Sequence, residues 1–181
     1  MPLAERLAIV LVSLALAVGI IAVLSGGLLA GRDNPGITGQ NGPLGAQFRD
    51  LGHAHLAPRA PHPAYDSEPP TSGAHVPEPI TRDEAQINDD QLLQALELGD
   101  VVLMYGSDSP PPGLRTLADT VGAPFTPALA AAGQAVILAR RPGTNGVIGL
   151  AWTRLVHVRA ASDPALRSFL LFTLGQGAPS H

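Results

Sequence analysis

The sequence predicts an α/β (α+β) fold, a small sandwich of three or four strands with helices packed on it, preceded by one N-terminal transmembrane helix. Three observations predict it. Helical and strand patterns alternate between residues 89 and 174, in the order helix, strand, helix, strand, strand, helix. The stretch that carries them, about 110 residues, is long enough for one modest core. Residues 7–30 hold no charged side chain and are mostly Leu, Ala, Val and Ile.

Residues 1–6 form a short tail ahead of that apolar run. At 1.5 Å per residue the run reaches roughly 36 Å, enough to cross a hydrocarbon core of about 30 Å with some tilt. It is longer than the apolar core of a secretory signal, and no small-residue cleavage pattern closes it. It therefore reads as an uncleaved signal anchor. The short N-terminal tail and long polar remainder place the C-terminal part on the extracytoplasmic side.

Residues 31–63 are rich in Gly, Pro, Asn and Gln and carry no apolar period, which predicts a linker arm. The arm holds His53, His55 and His62. Residues i and i+2 of an extended segment share a face, so His53 and His55 can chelate one ion together; the other reading is a solvated polar arm.

The globular domain is expected over residues 64–178. It opens on Tyr65–His75, YDSEPPTSGAH. Pro69 and Pro70 lock two φ angles and remove two donors, and the residue before a proline is pushed towards extended geometry. Thr71, Ser72 and Gly73 favour a turn. His75 follows, framed by Pro77 and Pro79. Two readings stand: a structural turn with an exposed histidine, or a stiff mount that holds His75 as a ligand or proton carrier. A Ser72–His75 nucleophile has no orienting acid in the pattern.

Asp89 or Asp90 caps a helix whose apolar face is Leu92, Leu93 and Leu96, and Gly99 ends it. Val101–Tyr105 is a short apolar run, a buried strand. After the loop SDSPPPG, Leu114, Leu117, Ala118 and Val121 repeat at helical spacing. Ala135–Ala139 is a second strand, closed by Arg140 and Arg141, which read as a solvated strand end. Gly146 turns the chain into Val147–Val158, one long β-rich run with Trp152 in mid-strand. Asp163-Pro164 then opens a helix to Leu174, with Ser162 as N-cap.

Composition narrows the function. The chain has 181 residues and no cysteine, which excludes disulfides, thiolate metal sites and cysteine nucleophiles. It has no lysine, a net charge of −4 and no basic run, which argues against a nucleic-acid partner. No GxGxxG, P-loop or GxSxG pattern occurs.

The segments YDSEPPTSGAH, LLQALELGDVVLMYG, AVILARRPG, LAWTRL and DPALRSFLLF resemble a bacterial family of membrane-anchored proteins known only as a domain of unknown function. The resemblance covers roughly residues 50–178. Members carry PPTSGPH and then HxLEHG leading into a VVxxY strand. Pro69, Pro70, Thr71, Ser72, Gly73, His75, Leu96, Glu97, Gly99, Tyr105, Trp152 and Asp163 match, and His55 corresponds to an upstream family histidine. The family's paired histidines on one helix face are Gln94 and Leu98 here, so this chain is a divergent member. If relatives bind metal through that pair, His55, His62, His75 and Glu97 remain here, with Met104 as a soft donor.

Two functions are carried forward. The first is a non-catalytic interaction or accessory protein of a membrane complex, with the lipid bilayer as its other partner. The alternative is an extracytoplasmic binder of copper or zinc through His55, His75 and Glu97.

Overall fold

A computed structural model describes residues 44–179. The expected tail and transmembrane helix, residues 1–30, lie outside the described residues. Among the described residues no helix is long and apolar enough to cross a membrane.

Among the described residues the fold is α+β: a mixed five-stranded sheet in the order β1-β5-β4-β2-β3, with four helices. The strands are β1 (Ala46–Gln47), β2 (Val101–Tyr105), β3 (Val136–Arg140), β4 (Val147–Ala151) and β5 (Arg154–Val158). The helices are α1 (Asp89–Leu98), α2 (Leu114–Gly122), α3 (Pro127–Ala131) and α4 (Pro164–Thr173). β2 lies inside the sheet, parallel to β3 and antiparallel to β4.

Every residue of β2 is buried, which explains its unbroken apolar sequence. Val101, Leu103 and Tyr105 pack on one face with Leu114, Leu166 and Phe169. Val102 and Met104 pack on the other with Leu92, Leu96 and Trp152. Helices α2 and α4 thus cover one face, while α1 and α3 cover the other. The free side of β3 is shielded by residues 83–85: Glu84 N–H donates to the Leu138 carbonyl and Arg140 N–H to that of Ala85.

Several expected details change. The α1 cap is Asn88, one residue before the acidic pair: its side chain accepts the Gln91 N–H at 2.8 Å and Gln91 accepts the Asn88 N–H at 3.2 Å. This reciprocal box needs a residue with both acceptor and reach three positions on, and Gln91 supplies it. At α4 the cap is Asp163, not Ser162, because its carboxylate accepts the Ala165 N–H at 2.9 Å. The run Val147–Val158 is a hairpin whose last pair is Ala151 with Arg154. Trp152 and Thr153 form its tip, so Trp152 is a turn residue, yet only 6% exposed.

Two elements were not expected. α3 is capped by Thr126, with Pro127 at the helix start. The linker arm, expected to run to residue 63, contributes β1, which adds a strand at the β5 edge. Two residues carry no readable period, so that strand exists only through its partner.

Candidate metal centre

The PPTSG turn is the framework of the site. Pro69, Pro70, Thr71, Ser72 and Gly73 are all buried, with a cis Glu68–Pro69 peptide. The Ser72 hydroxyl donates to the Arg49 carbonyl at 3.0 Å and accepts the Leu51 N–H at 3.1 Å. The Thr71 carbonyl accepts the Thr153 N–H at 2.9 Å, tying the turn to the β4–β5 tip. One turn therefore holds both the arm and the hairpin.

Tyr65 closes the turn, its hydroxyl donating to the Ala74 carbonyl at 2.9 Å. Burial, then the charges of Asp90 and Asp89, push this phenol up to about 12, so it remains a donor at neutral pH. Gly73 sits at φ 132°, and a Cβ there would lie 2.8 Å from the Tyr65 ring. Gly73→Ala should therefore lower stability by about 2 kcal/mol or more. A urea melt checks this; an unchanged midpoint contradicts the packing described.

His75 leaves the turn pointing inwards. Its side chain is fully buried, which overturns the expectation of an exposed histidine. Its N–H donates to the Ala54 carbonyl at 3.1 Å and its carbonyl accepts the Leu56 N–H at 2.8 Å, which sets His55 opposite His75 in a short parallel bridge. Nδ1 of His75 lies 2.9 Å from the Gly73 carbonyl, which can only accept. Nδ1 therefore carries a proton, and in that neutral tautomer Nε2 is the nitrogen that presents a lone pair.

Glu97 faces that nitrogen. It lies near the end of α1, where the C-terminal tail straps the backbone: Ala178 N–H donates to the Glu97 carbonyl and Gly175 N–H to that of Gly99, each at 2.9 Å. Glu97 Oε2 is 3.1 Å from His75 Nε2 and 3.0 Å from His55 Nε2. His53 Nδ1 approaches the other oxygen, Oε1, at 3.3 Å. Both arm histidines therefore meet one carboxylate, but through different oxygens, and only His55 stands in the donor cluster, not the His53–His55 pair that the H-x-H spacing offered. Donor atoms of His55, His75 and Glu97 all lie within 4.8 Å of one another.

Other candidates fall elsewhere. His62 pairs with Asp90 at 2.8 Å. Met104 is buried in the sheet with Leu92 and Leu96. His157 is exposed, 2.5 Å from the Asn145 carbonyl. Arg140 and Arg141 pair with Asp108 and Glu68. Trp152 donates to Asp50 at 3.2 Å and its ring meets His53 edge-on.

Gln94 and Leu98, the substituted positions of the resemblance, line a different feature, a small cavity between α1 and α3 that also contains Asp100. Asp100 is 1% exposed and accepts the Ala135 N–H at 2.8 Å. Burial pushes its carboxyl up to about 7, against the opposing pull of that hydrogen bond. Sequence reading passed over Asp100; its one signal was a charged residue directly before an apolar strand.

Fold and site together define a small α+β domain with a histidine–carboxylate cluster at the seam between an N-terminal arm and a helix. The chain belongs to the family described as Protein of unknown function (DUF3105), whose profile matches residues 59–180. The match includes the PPTSG turn, His75, Glu97 and α4, but begins after His53 and His55, later than the residue 50 that the motif resemblance gave. No curated protein and no solved structure matches the chain.

Proposed function

We propose that this domain binds zinc or copper through His55 Nε2, His75 Nε2 and a Glu97 carboxylate oxygen. One observation carries the reading: the buried Nε2 of His75 has no hydrogen-bond partner, yet faces a carboxylate oxygen at 3.1 Å. With Nδ1 donating to Gly73, two lone pairs confront each other unless a proton or a cation lies between them. Imidazole and carboxylate donors suit zinc and copper(II). Donors placed 2.0–2.1 Å from a tetrahedral ion lie about 3.3 Å apart, close to the 3.0 and 3.1 Å that separate Glu97 Oε2 from the two imidazole nitrogens.

His53 on Oε1 would orient the carboxylate, as the Gly73 carbonyl orients His75. Three protein ligands leave a fourth position open. His55 is 50% exposed at its side chain, so that position faces solvent and a bound ion can exchange. A non-catalytic role fits this reading, with the Ser72 hydroxyl already committed to backbone partners. The apolar character of residues 7–30 supports a single-pass membrane anchor, and the short tail before it supports an extracytoplasmic domain.

The test is elemental analysis of the full chain in mild detergent, desalted after loading with zinc or with copper(II). Stoichiometric retention by the parent protein and its loss in Glu97→Gln are expected. A parent protein that retains neither metal ends this reading.

A second reading, an accessory protein of a membrane complex, draws on Leu171 and Phe172, exposed on α4 at 58% and 39%. Purification as a solitary monomer, with no associated protein, counts against it.

A further inference from the structure

We propose that the cavity between α1 and α3 binds a small primary alkylammonium ion, held by Asp100 Oδ2 and Gln94 Oε1. Three features of the cavity support this, and none involves the metal centre.

The first is a pair of acceptors without donors. Asp100 Oδ1 takes the Ala135 N–H, but Oδ2 is buried and has no partner. Gln94 Oε1 is buried and has none either. Buried acceptors are nearly always paired, so two on residues that line one cavity call for donors that the described residues do not supply. Among the described residues no basic side chain forms an ion pair with Asp100.

The second is the shape and lining. The cavity is about 70 Å³, larger than one water requires. Its remaining walls are apolar except for Thr81, chiefly Pro79, Ile80, Leu98 and Pro127. Polar acceptors at one point and hydrocarbon elsewhere complement an ammonium head on a short alkyl stem. Calcium or magnesium needs a shell of six or more oxygens, which this lining does not supply.

The third is charge. A buried carboxylate in its charged form is retained at little loss only when a cation neutralises it; otherwise it takes up a proton. An ammonium has three donors and one positive charge, so it satisfies both oxygens and the carboxylate together.

The experiment is a titration of the full chain in mild detergent with ethylammonium chloride, read by the NMR shift of the Ala135 amide. That amide donates to the same carboxylate, so it reports on the ligand directly. Sodium chloride and ethanol serve as controls for ionic strength and for the alkyl group. A saturable shift with ethylammonium alone is expected. Asp100→Asn should weaken it by about tenfold to a hundredfold, as loss of a charged hydrogen bond does. Gln94→Leu, which leaves the carboxylate in place, should weaken it several-fold. A shift no larger than that with sodium chloride overturns the proposal, as does unchanged affinity in either variant. A cavity holding only water at saturating ethylammonium overturns it as well.

Discussion

His75→Ala is expected to abolish retention of zinc or copper and to weaken binding by more than about a hundredfold. Removing a group that merely orients a metal ligand already weakens affinity by about ten- to a hundredfold. His75 offers a donor atom itself, and its fully buried position keeps water from replacing it. Stability should fall by on the order of 2–3 kcal/mol even without metal, because a buried ring leaves a cavity behind. The two effects separate in melting curves. In the parent chain, metal at a hundredfold excess over Kd should add about 2.7 kcal/mol and raise Tm by several degrees. In His75→Ala the curves with and without metal should coincide. His62→Ala is the control: His62 pairs with Asp90 away from the cluster, so its loss should leave metal retention intact. Retention by His75→Ala, or loss in His62→Ala, would place the metal elsewhere.

Asp100→Asn should stabilise the domain above neutral pH. The folded-state value of about 7 lies above the ordinary 3.8, chiefly through desolvation. The folded state therefore binds this proton more tightly than the unfolded chain does. The stability it contributes is fully present below pH 3.8 and is lost as pH rises through about 7. At roughly 1.4 kcal/mol per unit, the loss across that window reaches on the order of 3–4 kcal/mol. Asparagine removes the charge while its carbonyl can still accept the Ala135 N–H. Urea denaturation at pH 4 and pH 8 measures this. The parent should lose stability between the two and the variant should lose much less. Equal slopes for both proteins would mean that Asp100 is not the titrating group. The addition of an alkylammonium should restore part of the parent's stability at pH 8, because it pairs with the charged form.

Much of the architecture was legible because it is local. VVLMY is a strand in any context that buries it on both faces, and its bounds agree with β2. Gly99 ends α1 at φ 113°, a conformation that glycine reaches without strain. Amphipathic spacing at Leu114, Leu117, Ala118 and Val121 marked α2. The hairpin at Trp152–Thr153 was not legible, because neither residue is a usual turn former and Thr153 takes φ 58° against its preference. β1 was hidden for the opposite reason: two residues fall below the length at which alternation can be counted.

The ligand set is a mixed case. The H-x-H spacing, the proline-framed His75 and the lone glutamate of ALELG are all visible in the chain. Residue types and short spacings were enough to nominate His53, His55 and His75 and to exclude thiolate chemistry, while Glu97 entered only through the resemblance to the family. What the chain alone could not supply is the distance between an arm at residue 55 and a helix at residue 97. Nor could it supply the burial that turns His75 from an exposed imidazole into an inward-facing donor. Both come from the PPTSG turn, which ties arm and hairpin together through hydrogen bonds between residues far apart in sequence, and from the Val76 N–H bond to Asp90, which seats the segment after the turn on α1. Spacing determines which atoms can share a face; only packing brings separate faces into one place and removes the water between them.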